Sequence, residues 1–371
     1  MHKIGAVEIR YPHLMWISDF HKSQQGLERP ETVVRGIVCR MKKLDFLAIG
    51  DTTIDAFIRL KDASVNCTLD HKRCELCVNF GAKIPYESVE EVVAVGNSAN
   101  AAVAAARLGL SSALITNVGD DDNGQKCVKT LKSGGVNAEF ISVHNGAKTN
   151  YHYVLWYEDE RTILVKHENF PYELPRLPSA EFIYLSSLGA GTTEYHGQII
   201  YYLEKNPEAR LAFQPGTFQI KESRRDGACF NFYKRAEIVA VNVEEAQKIT
   251  NLPDAKPTEL LEKIKSLGPK IVLVTDGVAG AYLMDENGKW FMPPYPDPKP
   301  PLERTGAGDA FTSTFVAALI LGQKPLDAFA WGLVNAMSVV QRVGAQAGLL
   351  SRKEIENHLA KKPPGFAPEK I

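Results

Sequence analysis

The sequence predicts an α/β fold in three layers, with a mostly parallel sheet between two layers of helices and a small β lid. The first observation is the alternation of short apolar runs with helical stretches from residue 44 onward, which is typical of parallel sheets. The second is that two stretches, about residues 57–95 and 147–166, show strand-like alternation instead of helical periodicity. The competing interpretation of these two stretches is a pair of ordinary long loops.

Six apolar runs are the predicted strands of the main sheet: residues 46–49, 113–116, 182–185, 210–213, 238–241 and 271–275. Amphipathic or alanine-rich segments between them are the predicted helices: residues 98–108, 124–133, 195–205, 244–250 and 258–266. Gly109 follows the first of these helices, and glycine readily takes the left-handed conformation that ends many helices. The alanines of that helix allow it to approach the sheet closely.

Composition and charge exclude several classes of partner. The chain has 371 residues, of which 43 are lysine or arginine and 44 are aspartate or glutamate. Because the two signs nearly cancel, no overall field favours nucleic acid or an acidic membrane surface. No apolar run approaches the roughly 18 residues that a membrane span needs. We therefore expect a soluble protein without a nucleic-acid or membrane partner.

Six cysteines in a chain of this length do not indicate a disulfide scaffold. With no signal peptide before them, reduced thiols and a cytoplasmic location are expected. Cys67, His71, Cys74 and Cys77 form one cluster whose residue types and spacing could hold zinc. The alternative is a set of solvent-facing or half-buried thiols in a loop or small strand, because no second CxxC follows.

Residues 1–40 differ from the rest of the chain. They mix arginine, histidine, proline and scattered aromatics without a sustained period, and Met41 is followed almost directly by the first apolar strand. We expect either a loosely attached, unstructured extension or a functional start at Met41. A targeting peptide is the weaker alternative, because no continuous apolar stretch is present. Residues 41–371 are then one predicted domain.

The strongest chemical signal is the turn formed by Gly306, Ala307 and Gly308, which leads through Asp309 into a helical run ending near Leu321. Such a turn exposes backbone N–H groups at a helix N-terminus, where they and the helix dipole favour a phosphate. A carboxylate in the first turn is then able to accept the proton of an attacking hydroxyl. The plainer interpretation is N-capping of a helix by small residues.

Other nucleotide-binding patterns are missing or incomplete. No Walker A sequence occurs in the chain. Gly189 and Gly191 follow a predicted strand, but the third glycine of a dinucleotide fingerprint is absent. A Rossmann dehydrogenase is therefore disfavoured.

Further short motifs accompany the glycine turn in order along the chain. They cover residues 50–55, 96–101, 118–124, 242–245 and 275–280. Together with residues 306–309, they resemble the ribokinase-like, or PfkB-type, family of carbohydrate and nucleoside kinases. The resemblance covers roughly residues 44–355.

The resemblance implies an ATP-dependent transfer of a phosphoryl group to a hydroxyl of a sugar or nucleoside, with Mg²⁺ as cofactor. The implied catalytic residues are Asp309 as base and the amides of Gly306, Ala307 and Gly308. The implied substrate-binding residues are Asp55, Thr53, Gly96, Asn97 and Asn100. The implied nucleotide-binding residues are Asn242, Glu245, Thr275, Gly277 and Asn335, and Glu245 holds Mg²⁺ through water.

Plainer roles remain open for several of these residues. Asp55 can cap a turn, and Asn100 can satisfy backbone groups inside a packed helix. Glu245 can serve only as a first-turn acid, stabilised by the helix dipole.

The chain departs from the family pattern in two motifs and in the segment from Lys61 to Val95, which is rich in cysteine and charge. Glu303 and Arg304 stand where the C-terminal signature usually opens with aspartate and threonine, so no potassium activation is predicted. Arg304 can supply positive charge to phosphates or pair with a surface carboxylate. Val95 stands in place of the first glycine of the N-terminal signature.

The acceptor remains open at this stage. A phosphorylated substrate would need cations on the lid side, such as Arg161 or Lys166. A nucleoside would need an aromatic shelf, such as Trp156, Tyr157 or Phe170. The resemblance also allows a homodimer through the lid. A nucleotide- or sugar-binding regulatory relative without catalysis is the alternative function.

Overall fold

The computed structural model describes residues 43–68, 74–158, 160–223 and 228–371. The expectations for residues 1–40 and for His71 lie outside the described residues. The strands, in chain order, are β1 Leu44–Ile49, β2 Thr53–Leu60, β3 Ser64–Cys67, β4 Cys74–Cys77, β5 Tyr86–Val95, β6 Ser112–Gly119, β7 Ile141–His144, β8 Tyr151–Tyr157, β9 Glu160–Leu164, β10 Ala180–Leu185, β11 Arg210–Phe213, β12 Ile238–Asn242, β13 Ile271–Thr275, β14 Ala281–Asp285, β15 Gly288–Met292 and β16 Glu369–Lys370.

Several helices begin at residues that favour helix starts. Asp121 accepts a hydrogen bond from the Gly124 amide at the start of the helix Asp122–Ser133, and the helices Pro257–Lys265 and Pro325–Val339 begin with proline. After the first helix, Gly109 has a positive φ of 93°, as expected for a helix end. The helices are α1 Asn97–Arg107, α2 Asp122–Ser133, α3 Thr193–Lys205, α4 Thr217–Ser223, α5 Ala228–Arg235, α6 Val243–Thr250, α7 Pro257–Lys265, α8 Ala307–Ile320, α9 Pro325–Val339 and α10 Arg352–Ala360.

The main sheet runs in the order β16-β15-β14-β13-β12-β11-β10-β1-β6-β7. Strands from β7 to β13 are parallel to their neighbours, and β13 to β16 are antiparallel. The parallel strands are apolar on both faces because helices cover both sides. In β1, Phe46 and Ala48 pack into one core with α1, α8 and α9, whereas Leu47 and Ile49 pack into a second core with α3, α5 and α7. The predicted three-layer fold is confirmed.

A second, smaller sheet has the order β5-β2-β8-β9. Strand β2 pairs antiparallel with β5 and parallel with β8, and β8 pairs antiparallel with β9. These strands come largely from the two stretches in which the sequence lacks helical periodicity. Asp55 pairs in register with His152 and therefore shares a face with it, whereas Ala56 pairs with Tyr153 on the opposite face.

All six predicted strands of the main sheet are present. The antiparallel strands β14, β15 and β16 and the parallel edge strand β7 were not predicted. Strand β14 returns directly from β13, with a short 3₁₀ turn between them at residues 277–279. The interpretation of the sequence as alternating strands and helices left no place for this hairpin.

The cysteine cluster differs from the expectation of reduced thiols or a zinc site. Cys67 and Cys74 form a disulfide between paired positions of the hairpin β3–β4. Cys77 is a free thiol that accepts a hydrogen bond from Asn66 Nδ2 at 3.3 Å. Because two of the four proposed zinc ligands are bonded to each other, they are not available to hold a metal in this state.

The described helices differ from membrane-spanning helices in length and apolar character. Among residues 43–68, 74–158, 160–223 and 228–371, no helix is both long enough and apolar enough to cross one.

Candidate active site

A deep cleft lies at the carboxyl ends of the parallel strands, where open α/β sheets bind ligands. It is a cavity of about 710 Å³, and residues of the second sheet contribute to its wall. The sequence-predicted residues that line it are Thr53, Asp55, Gly96, Asn97, Asn100, Asn242, Glu245, Thr275, Gly277, Gly306, Ala307, Gly308 and Asp309. The fold thus gathers into one cavity motifs that are spread over more than half of the chain.

The turn before α8 requires glycine at one position. Gly306 has a φ of 79°, and a Cβ added there would lie 2.2 Å from Ala345 Cβ. Gly308 has no such restriction, because an added Cβ would meet nothing within 4 Å. Helix α8 begins at Ala307, so the N–H groups of its first turn have no partner one turn earlier in the helix. Such a helix end is suited to bind an anion, and this one lies on the cavity wall.

Asp309 lies in the first turn of α8 and is buried. Asn97 Nδ2 donates to Oδ1 at 2.8 Å, Asn100 Nδ2 donates to Oδ2 at 2.8 Å, and Gln214 Nε2 donates to Oδ1 at 3.1 Å. Burial raises the pKa of Asp309, and these three hydrogen bonds oppose that shift because they stabilise the charged form. The carboxylate is therefore held in one orientation as an acceptor.

Gln214 lines the cavity and contacts Asp309, although the sequence did not predict it as a site residue. It follows β11 directly, and its Oε1 accepts a hydrogen bond from the hydroxyl of Tyr184. Tyr184 is fully buried on β10, so it fixes the orientation of the Gln214 amide. The position of Gln214 in the sequence could have indicated that it belongs to the site. The first polar residue after a buried parallel strand lies where such sheets bind ligands.

Asn97 and Asn100 line the cavity as expected, but their amide nitrogens hold Asp309. The Asn100 oxygen also accepts from Gln346 Nε2 at 3.0 Å. These bonds use much of the hydrogen-bonding capacity of the Asn100 side chain. The geometry therefore gives Asn100 a role in positioning Asp309, in addition to its place on the cavity wall.

At the end formed by the second sheet, Asp55 is buried with no hydrogen bond to Oδ1 from any described residue. His152 Nδ1 lies 3.3 Å from this oxygen. His167 Nδ1 lies 3.3 Å from Asp51 Oδ2, and the two imidazole rings are 5.4 Å apart. Two carboxylate–imidazole pairs therefore lie side by side, a suitable arrangement for binding several hydroxyl groups.

Gly96 and Thr53 support this end of the cavity. A Cβ at Gly96, where φ is 112°, would lie 2.6 Å from the Asp51 carbonyl oxygen. The hydroxyl of Thr53 donates to the Ile54 carbonyl at 3.2 Å. The close approach of the backbone at Gly96 keeps the strand end and the start of α1 in contact.

Arg161, on β9, brings a positive charge to the same cavity. Its buried Nε has no hydrogen-bond partner among the described residues. Its charge lowers the pKa of Asp309, against the larger effect of burial. A half-buried guanidinium with an unpaired donor is suited to an anionic group of a ligand.

Asn242 and Glu245 form a capping box at the start of α6. The Asn242 amide donates to Glu245 Oε2 at 2.9 Å, and the Glu245 amide donates to Asn242 Oδ1 at 2.8 Å. Burial raises the pKa of Glu245 to about 7, and the charge of Asp309 adds to this shift. One pair of residues therefore stabilises the helix start and places a second carboxylate on the cavity wall.

Asn335 does not lie with the other predicted residues. It is fully buried in α9, where its Nδ2 donates to Thr314 Oγ1 at 2.6 Å and its Oδ1 accepts from the Leu350 amide at 2.9 Å. The neighbouring Leu333 and Ala336 reach the cavity instead. The direct nucleotide contact expected of Asn335 is thus not supported, because its amide is used inside the protein.

Glu303, which departs from the family pattern, supports the loop before α8. It is buried, and its carboxylate accepts from the Thr305 amide at 2.6 Å and from the Gly344 amide at 2.9 Å. Gly344 precedes Ala345, which packs against Gly306. Both oxygens of Glu303 therefore brace the glycine turn, while Arg304 lines the cavity.

Comparisons with known proteins agree with this geometry. Residues 65–352 match the family model of pfkB family carbohydrate kinases. Ribokinase of Bacillus subtilis (strain 168) is 26% identical over 276 residues, covering 73% of this chain and 89% of the relative. The 5-dehydro-2-deoxygluconokinase of Geobacillus thermodenitrificans (strain NG80-2) is 23% identical over 352 residues, covering 86% of this chain and 94% of the relative.

Solved structures share the fold. Arabidopsis thaliana ribokinase, solved with ribose and ATP, superimposes with a TM-score of 0.68 at 18% identity, covering 86% of this chain and 99% of that chain. The nucleoside kinase of Methanocaldococcus jannaschii has a TM-score of 0.67 at 19% identity, with coverage of 86% and 99%.

The family match and the sugar-kinase relatives identify a small-molecule kinase that transfers a phosphoryl group to an alcohol. The chain belongs to the pfkB family of carbohydrate kinases. Kinases of this family use ATP, and membership does not favour the non-catalytic alternative.

Proposed function

We propose that this protein transfers the γ-phosphoryl group of Mg·ATP to a primary hydroxyl of a sugar, with Asp309 as the catalytic base. The observation that supports this proposal is the position of the Asp309 carboxylate. Three amide donors hold it at the proposed phosphate-binding end of α8. Asp55 and its neighbouring imidazoles provide acceptors and donors for the other hydroxyls of the sugar.

The residues support an in-line displacement. Asp309 accepts the proton of the acceptor hydroxyl, whose oxygen forms a bond to the γ-phosphorus as the bond to the ADP oxygen breaks. ADP leaves with the electron pair of that bond. The amides of Gly306, Ala307 and Gly308 stabilise the negative charge that builds on the transferring group.

Glu245 is suited to hold Mg²⁺ through water. Its Oε2 is engaged by the helix cap, which leaves the other carboxylate oxygen for a water of the hydrated ion. Thr275 and Gly277, at the end of β13 and in the following turn, line the same part of the cavity as proposed phosphate contacts. The ion would supply charge neutralisation on the phosphates.

Family membership supports a sugar as the acceptor, and the aromatic shelf expected for a nucleoside lies elsewhere. Among the described residues that line the cavity, none is Trp156, Tyr157 or Phe170, the aromatic residues expected to stack a base. Trp156 lies under Arg59 instead, 4.5 Å from its guanidinium carbon. Relatives named for sugar acids as well as for neutral sugars match this chain, and Arg161 provides a cation for an acidic acceptor.

We propose that the second sheet acts as a lid and as the interface of a homodimer. Tyr153 and Leu164 pair in register on the face opposite Asp55, and they are 49% and 51% exposed. Closure would exclude water from the cavity and limit ATP hydrolysis. A cytoplasmic location is part of this proposal, since ATP is supplied there.

The test is ATP consumption with a panel of neutral sugars, sugar acids, sugar phosphates and nucleosides, beside Asp309→Asn. Loss of the base is expected to lower kcat by roughly 10²–10⁴-fold. Asp327→Asn is a matched control, because Asp327 is an exposed first-turn acid of α9. Equal turnover by the Asp309→Asn protein and the unmodified chain would refute the assigned base, and turnover with nucleosides alone would refute the sugar assignment.

A further inference from the structure

A second cluster of metal-ligand side chains lies outside the active site. His196 on α3, Glu222 on α4 and Cys229 on α5 bring one nitrogen, one oxygen and one sulfur to a common point. His196 and Cys229 are buried, and the Glu222 side chain is 29% exposed. The proposed phosphoryl transfer uses none of these three residues.

The distances within this cluster match those between the ligand atoms of a tetrahedral metal ion. His196 Nδ1 lies 3.4 Å from Glu222 Oε2 and 3.4 Å from Cys229 Sγ, and Sγ lies 3.5 Å from Oε2. Tetrahedral Zn²⁺ with bonds of about 2.0–2.3 Å places its ligand atoms roughly 3.4–3.6 Å apart. The His196–Glu222 distance is longer than an N–H···O hydrogen bond, which is about 2.7–3.2 Å, whereas the two distances to sulfur also fit hydrogen bonds of a thiol.

From this geometry we infer that His196, Glu222 and Cys229 bind one Zn²⁺ ion, which joins helices α3, α4 and α5. Thiolate and imidazole ligands favour zinc over Mg²⁺ or Ca²⁺. Three protein ligands with water in the fourth position form a recognised zinc coordination, and the partial exposure of Glu222 admits that water.

The charges also balance. A thiolate and a carboxylate neutralise the two positive charges of Zn²⁺, and the imidazole is neutral when it binds through Nδ1. A neutral group is suited to this environment, because Cys229 belongs to the apolar core with Phe232 and Leu188. Phe232 contacts the His196 ring edge to face, with ring centres 5.6 Å apart, and so helps to fix the ring.

Zinc binding has consequences for neighbouring groups. With Nδ1 on the metal, the imidazole proton lies on Nε2, which is 3.4 Å from Gln219 Nε2. Gln219 Oε1 accepts from the Gly216 amide at 3.2 Å and Gln219 Nε2 donates to the Leu188 carbonyl at 3.3 Å. Turning the Gln219 oxygen toward the imidazole proton would exchange both of these hydrogen bonds for the new one. The N-terminal residues of α4, Thr217 and Phe218, line the active-site cavity. The ion would therefore also fix one wall of the catalytic cavity.

The test is zinc stoichiometry of the full-length chain after incubation with Zn²⁺ and gel filtration, measured by mass spectrometry of the metal. All proteins carry Cys67→Ser, Cys74→Ser and Cys77→Ser, which removes the thiols of the surface hairpin as a competing source of binding. We expect about one tightly bound zinc per chain, as a single site requires. Co²⁺ should give a thiolate-to-cobalt absorption band.

Cys229→Ser and Glu222→Gln are expected to lose this zinc and to weaken affinity by more than the roughly 10–100-fold that follows loss of a ligand's hydrogen-bond partner. Cys229→Ser should also lose the cobalt band. Cys127→Ser is the matched control, because Cys127 is another buried free thiol, and it should keep both. Absence of zinc and of the band in the parent protein, or equal binding in the Cys229→Ser protein, would overturn the assignment.

Discussion

Gln214 donates a hydrogen bond from Nε2 to Oδ1 of Asp309 over 3.1 Å, although the two residues are 95 positions apart in the chain. The hydroxyl of buried Tyr184 orients the Gln214 amide from behind. Strands β10 and β11 therefore support the proposed catalytic base on α8. This connection explains how the main sheet controls the position of a side chain in a helix that follows it.

Gln214→Leu is expected to reduce kcat and to move the acid limb of the kcat/KM profile to higher pH. The hydrogen bond from Gln214 lowers the pKa of Asp309, so its removal leaves the carboxyl protonated over a wider range. Tyr184→Phe should shift the limb in the same direction by a smaller amount. The measurement is the pH dependence of kcat/KM, and an unchanged acid limb in the Gln214→Leu protein would contradict this role.

Glu245→Gln is expected to weaken Mg²⁺ activation above pH 7 and to remove its pH dependence. Burial raises the pKa of Glu245 to about 7, so the unmodified protein should bind Mg²⁺ more weakly at pH 6 than at pH 8. Glu244→Gln is the control, because Glu244 is exposed on the same helix turn. Mg²⁺ titrations of activity at both pH values provide the measurement, and equal pH dependence in the Glu245→Gln protein would exclude this carboxylate.

The raised pKa of Glu245 also affects the free energy of unfolding. Because the folded-state pKa of Glu245 is raised, its protonated form favours the folded state. This stabilising contribution is present at low pH and is lost as the pH rises through about 7. Glu245→Gln should therefore flatten the pH dependence of the free energy of unfolding between pH 5 and 8, which denaturant titrations would reveal.

Gly306→Ala is expected to destabilise the protein and abolish activity. The positive φ of Gly306 and a Cβ contact of 2.2 Å with Ala345 should together cost about 2–4 kcal/mol of unfolding free energy. Gly308→Ala is the matched control, since its added Cβ meets no atom within 4 Å. Thermal unfolding compares the two variants, and equal stability would show that the turn accommodates the methyl group.

Arg161→Met is expected to raise KM for an anionic acceptor more than for a neutral sugar. The substitution keeps the apolar stem and removes a guanidinium whose buried Nε has no partner among the described residues. Lys166→Met is the control, because Lys166 is exposed and already paired with Glu168 at 2.6 Å. If Arg161 contacts the γ-phosphate instead, KM for ATP or kcat should change equally with every acceptor.

The main sheet and the glycine turn were predictable because their signals are local. A buried parallel strand is a run of apolar residues, and a phosphate-binding turn needs glycine at particular backbone positions. The strands containing Phe46 and Phe182 and the helix beginning at Ala307 therefore agree with the prediction. The hairpin β14–β15 has mixed residues and a contact pattern that depends on β13, so no local signal distinguished it.

The amino-acid sequence by itself determined the fold class, the order of the motifs and the identity of the acid on α8, because short-range patterns encode strands, helix starts and turns. Only the tertiary structure decided which side chains meet. It brought Gln214 to Asp309, turned the amides of Asn97 and Asn100 toward the same carboxylate, and enclosed Asn335 away from the cavity. Hydrogen bonds between residues 95 to 212 positions apart depend on how helices pack on the sheet, and this packing is not readable from any one segment.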